Sequence, residues 1–304
     1  ALLIGRPVRW VESRTENLSA YVHGRAQAQT VTIGGTRDGR VTHYRLDVVQ
    51  DCGAYPKWGA FLPEFTRQLA SGVYDIANLE FSAVSVATNT APTCAYRGAG
   101  RPEATAAIER AMDLFAAEVG MDVADVRRVN LLASEAFPYT TPTGTSMDSG
   151  DYEGSLDRAL AAVDYAGLRA EQKRRREAGD PVQMGIGVAT YVEITGFGGS
   201  EYGEVRLRSD GTVLASTGAT PIGTGHHTTW AMIVADRLGV PLDSIEVFHG
   251  DTESIPSGST TGGSRSVQIA GSAMADASEK LVELARDAAA DLLEAAPGDV
   301  VLDR

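Results

Sequence analysis

Residues 95–103 read Ala95-Tyr96-Arg97-Gly98-Ala99-Gly100-Arg101-Pro102-Glu103, and an alanine-rich run begins at Ala104. Two glycines between two arginines make a tight cationic loop, because glycine accepts positive φ and lets another molecule approach the backbone closely. Pro102 and Glu103 are residues that favour the first turn of a helix. Ile108, Met112, Phe115 and Val119 then recur at helical spacing. The stretch therefore predicts a glycine loop feeding a helix N-terminus, a place suited to an anionic or strongly polar ligand.

Working outward, residues 79–88 form a strand pattern that delivers this loop. Residues 6–50 alternate apolar and polar in short runs, Val8 to Glu12 and Val41 to Val49, broken by Gly34-Gly35 and Asp38-Gly39, which is strand and hairpin chemistry. A helix is predicted over 122–132. Residues 137–151 are rich in Pro, Thr, Gly and Ser and read as an ordered linker anchored by Phe137 and Tyr139, and one long helix is expected over 152–177. The second half restarts with strands over 184–193, 201–209 and 212–220, the last two joined at Asp210-Gly211. A helix to Leu238, a strand over 244–249 and a final helix to about Glu294 complete the pattern. Strands and helices mix without strict alternation, so the expected fold is α+β with mixed sheets, in two subdomains over 1–150 and 151–304.

A chain of 304 residues can bury a large core. Its net charge of −13 excludes nucleic acid as the main partner. The basic run Lys173-Arg174-Arg175-Arg176 lies in a helical pattern and reads as a solvated face. Cys52 and Cys94 are the two cysteines, with no C-x-x-C, so neither a disulfide framework nor an iron–sulfur site is expected in this chain, and a reducing cytoplasmic setting is the default. No apolar run is long enough to span a bilayer. Ala1 is not an initiator Met, and Arg304 ends the chain within a strand pattern; the chain is expected to be a piece of a longer one.

Two further loops resemble the first in design. Pro221-Ile222-Gly223-Thr224-Gly225-His226-His227-Thr228 precedes a helix whose free N–H groups could bind an oxyanion; the alternative is a tight strand-to-helix turn. Ser257 to Ser266 offers many hydroxyl and backbone donors with Arg265 beside the next helix. Phosphates favour that combination, whereas a flexible surface loop would explain the Gly and Ser but not Arg265. A phosphate loop of nucleotide-binding type is the weaker reading, since no Gly-Lys-Ser/Thr is present. His23, His43, His226, His227 and His249 do not make a metal site by their spacing. Glu193, ahead of Thr195-Gly196-Phe197-Gly198-Gly199, reads as a strand-end acid.

Taken in order, several segments resemble the molybdopterin-binding large subunit of the xanthine dehydrogenase/aldehyde oxidase family, in particular its carbon monoxide dehydrogenase large-chain group. They are Gly5 to Glu12, Asp51-Cys52-Gly53-Ala54-Tyr55, Ala95 to Arg101, Pro138 to Gly144 and Gly262 to Ser266. The resemblance implies a molybdopterin cofactor, in the cytosine dinucleotide form. It places Arg97 and Gly98 in the active-site loop and Ala99, Gly100 and Arg101 beside the cofactor. Gly223, Thr224, Gly225, His226 and Thr228 would approach the metal and pterin side, while Gly263, Ser264, Arg265 and Ser266 would hold the pterin and its phosphates. No protein side chain would ligate the metal directly.

The resemblance also implies an activity: oxidative hydroxylation of a small molecule with water as the oxygen source. Electrons would leave through an iron–sulfur small subunit carrying [2Fe-2S] and a medium subunit carrying FAD, in a dimer of heterotrimers. Two departures from the family pattern bear on the substrate. Members that oxidise carbon monoxide carry a copper-holding Cys where this chain has Gly98, and a soft Cu(I) has no sulfur ligand without it. Thr224 stands where the family usually has Gln. The chain is thus expected to belong to a hydroxylase of an aldehyde or aromatic heterocycle. The alternatives are a carbon monoxide dehydrogenase large subunit and a non-catalytic cofactor-binding module. The family's Gly-Gly-Gly-Phe-Gly segment is expected before Ala1 and its Gly-x-Gly-Glu base motif beyond Arg304, so the chain alone is expected to be inactive.

Overall fold

The computed structural model describes residues 2–196 and 198–302. Phe197 of the glycine-rich turn, Ala1, and the strand end expected at Arg304 lie outside the described residues. Packing divides the chain into two units, Ala1–Glu193 and Ile194–Arg304.

In the first unit, β1 (Gln27–Gly35) and β2 (Val41–Asp51) form the expected antiparallel hairpin, with an irregularity at Gly34/Gly35. β3 (Asn78–Val86) pairs with β2 in parallel, so β2 is central in a mixed sheet. The parallel return passes through the short helix α2, which is Leu62–Gln68 in chain order after α1 (Arg14–Ala20). From β3 the chain runs through the first glycine loop into α3 (Arg101–Val119), ended by Gly120 in the left-handed region at φ 71°. Ala104, Ala107, Ile108, Ala111, Met112, Phe115 and Ala116 give α3 one buried face against Tyr44, Leu46, Val48 and Tyr74. Each large apolar side chain buried there stabilises by about 1.5–3 kcal/mol. α4 (Val123–Asn130) follows, capped by Asp122, which accepts from the Ala124 N–H.

Three expectations change in this unit. Residues 8–12 form no strand, because their alternation meets no partner and the Ser13/Glu16 capping box starts α1 at once. The long helix is two, α5 (Tyr152–Ala162) and α6 (Tyr165–Glu177), broken where Asp164 turns left-handed at φ 48° and caps α6 through the Gly167 N–H. Residues 184–193 run without a ladder, their alternation serving to pack Val188 and Val192 on the first core. Leu156 of α5 joins the same core. The packing break falls at 193/194. The 137–151 segment carries only the two-residue strands β4 (Tyr139–Thr140) and β5 (Ser146–Met147), with Phe137 edge-on to Tyr152 at 5.5 Å.

The second unit repeats the plan. β6 (Gly203–Leu207) and β7 (Val213–Thr217) are antiparallel around Asp210-Gly211, and β8 (Ile245–His249) pairs with β7 in parallel. The crossover is α7 (His226–Leu238), ended by Gly239 at φ 69°. A glycine loop then leads through a π turn, Ser266–Ala270, into α8 (Gly271–Leu293). Val213, Ala215, Val234 and Met274 form its core, with Trp230, Ala219 and Ala270 beside them. In both units a hairpin, a crossover helix, a parallel strand, a glycine loop and a long helix follow in that order.

Candidate functional site

The first loop is held by backbone geometry. Gly98, Ala99 and Gly100 take φ of 89°, 44° and 85° in succession, while Ala99 N–H donates to the Tyr96 carbonyl at 2.7 Å and Arg101 N–H to the Gly98 carbonyl at 3.3 Å. A Cβ at Gly100 would stand 2.6 Å from the Leu62 oxygen and 2.7 Å from the Thr66 nitrogen, so the loop lies against the backbone of α2. A Cβ at Gly98 would meet Cγ of Pro102 at 2.4 Å and Cδ at 2.5 Å.

The two arginines of the loop face different surroundings. Arg97 is exposed. Arg101 is 3 % exposed, donates to the Ala99 carbonyl at 3.2 Å, pairs with Glu193 at 3.3 Å and stacks over Phe65. Burial lowers its pKa, with the Glu193 and Glu103 carboxylates acting in the opposite sense. Its guanidinium thus supports the loop from inside. Glu193, read as a strand-end acid, is the counter-ion of that support. Arg25, which the sequence did not point to, donates to the Arg97 carbonyl at 2.7 Å and to the buried Glu103 at 3.0 Å, and lies over the Tyr96 ring. Its partners are more than seventy residues away, so no local signal could have found it.

In the second unit Gly223 and Gly225 are left-handed, at φ 87° and 77°, and a Cβ at either would meet nothing within 4 Å. They serve conformation and leave open space in front of the helix. The first helical bond of α7 runs from the Thr229 N–H to the Gly225 carbonyl at 3.2 Å, so the His226, His227 and Thr228 amides precede it. Thr224 Oγ1 lies 2.9 Å from His226 Nδ1. His226 is buried and stacked on Trp230 with ring centres 5.0 Å apart. His227 faces the other way, toward His249 at 4.9 Å, so the two adjacent histidines do not converge.

The 257–266 loop is anchored at both ends. Gly258 crosses Gly218 so closely that a Cβ on Gly218 would stand 2.2 Å from the Gly258 Cα. Glu201 accepts from the Ser259 N–H at 3.0 Å and from its hydroxyl. Gly263 and Ser264 are left-handed, at φ 68° and 55°, and Arg265 returns to the right-handed region at φ −117°, a change of hand whose successive amides form a concavity suited to an anion. Arg265 donates to the Thr260 carbonyl at 3.4 Å, and Ser266 Oγ to Thr261 Oγ1 at 3.0 Å. Glu201, Ser259, Thr260, Arg265 and Ser266 lie close together there, around a gap too tight for a water molecule. Among the described residues no group of three His, Cys, Asp or Glu side chains is placed to hold a metal ion. Backbone amides, hydroxyls and one arginine together suit a phosphate or another oxyanion. Glu201, Gly218 and Trp230 were not legible in the sequence, because each acts on a loop distant along the chain.

Comparison with known proteins agrees. Residues 1–131 and 158–304 each match a family described as molybdopterin cofactor-binding domain. The carbon monoxide dehydrogenase large chain of Hydrogenophaga pseudoflava is 39% identical, over 99% of this chain and 39% of its own. A crystal structure of Cu,Mo-CO dehydrogenase superposes with a TM-score of 0.89 at 36% identity, covering 99% of this chain and 40% of that one. Quinoline 2-oxidoreductase from Pseudomonas putida 86 gives 0.90 at 30% identity, with the same coverage. The chain belongs to the molybdopterin cofactor-binding family, within the xanthine dehydrogenase group. It spans about two fifths of the length of the relatives it matches.

Proposed function

We propose that this chain is the molybdopterin-binding part of a molybdenum hydroxylase that oxidises an aldehyde or an aromatic heterocycle. The observation that carries the substrate reading is Gly98. At φ 89°, with Pro102 closing the space where a Cβ would go, the position offers no thiolate to a copper ion. The competing reading, a carbon monoxide dehydrogenase large subunit, is favoured by the identity to that group and opposed by this residue.

When bound, the cofactor supplies the metal centre for a two-electron oxidation with oxygen taken from water. The chain's residues bind and orient it. The amides at the start of α7, with Gly223 and Gly225 keeping the approach open, accept an anionic or oxo group. Gly263, Ser264, Arg265 and Ser266 take the phosphates of a cytosine dinucleotide form, Arg265 supplying the planar cation. Arg97 and Gly98 would belong to the active-site loop and Ala99, Gly100 and Arg101 to the cofactor side, the buried Arg101 guanidinium fixing the loop. Electrons leave through partner subunits carrying [2Fe-2S] and FAD, in a dimer of heterotrimers. The free thiols of Cys52 and Cys94 support a reducing, cytoplasmic setting, and no described helix is long and apolar enough to cross a membrane.

The test is turnover by the complete protein purified with its partner subunits. Reduction of a dye acceptor by aldehydes or by quinoline-type heterocycles, and none by carbon monoxide, is the expected outcome. Dye reduction driven by carbon monoxide alone contradicts the proposal.

A further inference from the structure

We propose that Trp230 is a positioning residue that locks the 221–228 loop to the 257–266 loop before any ligand arrives. Four contacts in the second unit form a continuous path. Thr224 Oγ1 meets His226 Nδ1 at 2.9 Å, and His226 stacks on Trp230 with ring planes 24° apart. Trp230 Nε1–H donates to the Ser266 carbonyl at 3.2 Å, and Ser266 Oγ donates to Thr261 Oγ1 at 3.0 Å. Trp230 is fully buried, packed with Ala219 and Ala270. Its indole therefore has little room to move, and its single donor fixes the backbone directly after Arg265. The path also gives Thr224 a task of its own. Its hydroxyl is committed to a ring nitrogen, so it orients His226.

A locked pair of loops binds a rigid polyanion without the cost of ordering side chains and backbone at the moment of binding. The role as a cofactor cradle rests on the proposed function. The lock itself does not, and it can be read without ligand.

Amide hydrogen exchange of the full chain, compared with Trp230→Phe and with Thr224→Val, separates the possibilities. Trp230→Phe keeps an aromatic ring against His226 and removes only the N–H and part of the ring. It is expected to speed exchange roughly tenfold at residues 261–268 and around 223–229, the effect of one lost buried hydrogen bond on local opening. Amides of β7 and of α8 beyond Met274 should be unchanged. Thr224→Val, at an exposed position outside the cores, should loosen 223–229 and to a smaller degree 261–268. No change at 261–268 in either variant overturns the lock, and so does a uniform increase over the whole unit, which marks simple loss of core packing. Pterin and nucleotide released from the complete protein give a second readout, expected to fall several-fold in Trp230→Phe. Exchange altered as stated with no cofactor in the unsubstituted protein would overturn the proposed function and leave the lock standing.

Discussion

Arg25 donates to the main-chain oxygen of Arg97 at 2.7 Å across 72 residues of sequence. The same guanidinium reaches the Glu103 carboxylate at 3.0 Å, at the start of the helix that the loop enters. One side chain thus ties together the strand side, the loop and the helix.

Replacing Arg25 by Met removes both contacts and leaves Glu103, 8 % exposed, without the guanidinium that donates to it. The expected cost is about 1–3 kcal/mol, from a buried acceptor left unsatisfied. For a unit of this size that lowers the melting temperature by roughly 2–4 °C per kcal/mol. Arg25→Lys should recover part of the loss by keeping the charge. A thermal melt of the Met variant that coincides with the unsubstituted protein contradicts this role.

Gly98→Cys tests whether copper chemistry is one substitution away. A side chain at φ 89° is strained, and its Cβ would stand 2.4 Å from the Pro102 ring. The variant should lose about 1–3 kcal/mol of stability and should not hold copper one-to-one when purified with Cu(I). Gly100→Ala should cost more, because backbone atoms of Leu62 and Thr66 block it and cannot rotate away. A Cys variant of unchanged stability that carries stoichiometric copper contradicts the reading of this loop.

The first core contains a buried charge. Arg127 is fully buried, pairs with Glu109 at 2.8 Å and Asp113 at 2.9 Å. Tyr74 donates to the same Glu109 at 2.6 Å. Glu109→Leu leaves the guanidinium with a single carboxylate and the Tyr74 hydroxyl with Thr190 Oγ1, at 2.7 Å, in place of two partners. The expected loss is about 3–5 kcal/mol, the usual result of breaking a buried ion pair from one side. A chemical-denaturation midpoint that barely moves would show that the network is dispensable.

Local chemistry made much of this architecture readable in advance. The hairpin was marked by Gly34-Gly35 and Asp38-Gly39, α3 by Pro102 and the 108/112/115 spacing, and α4 by Asp122. The missed strands share one cause: an alternating pattern does not say what, if anything, covers its apolar side. Residues 184–193 alternate because Val188 and Val192 rest on the first core, built from strand and helix residues alike, while Val8, Trp10 and Val11 are exposed. The break at Asp164 was missed because Asp is an ordinary helix-surface residue until its φ turns positive. At the candidate site the glycines and Arg265 were legible as loop chemistry. Arg25, Glu201 and Trp230 were not, since each is defined by a partner brought near only by folding. The plan shared by the two units was equally hidden, for it lies in the order of strands and not in matching residues.

His249 supplies a pH prediction. Burial, and next the facing His227 ring, hold its pKa below the ordinary histidine value. The unfolded chain takes up a proton near pH 6.5, the folded one only at lower pH. The unfolded state then binds more protons in that window, so stability is complete above about pH 7 and falls as the pH drops through 6.5 and below. Melting curves at pH 7.5 and 5.5 should show this loss, and His249→Gln should lessen it. A variant with the same pH dependence as the unsubstituted protein would remove His249 from the account.

On the proposed function the complete protein holds a molybdenum cofactor and has no place for copper. This is tested most directly on the complete protein purified with its partner subunits, by mass-spectrometric determination of molybdenum and copper and of cytidine monophosphate released by acid. Molybdenum and the nucleotide in equal amount, with copper absent, is the predicted result. Copper at one equivalent, or neither molybdenum nor nucleotide, contradicts it.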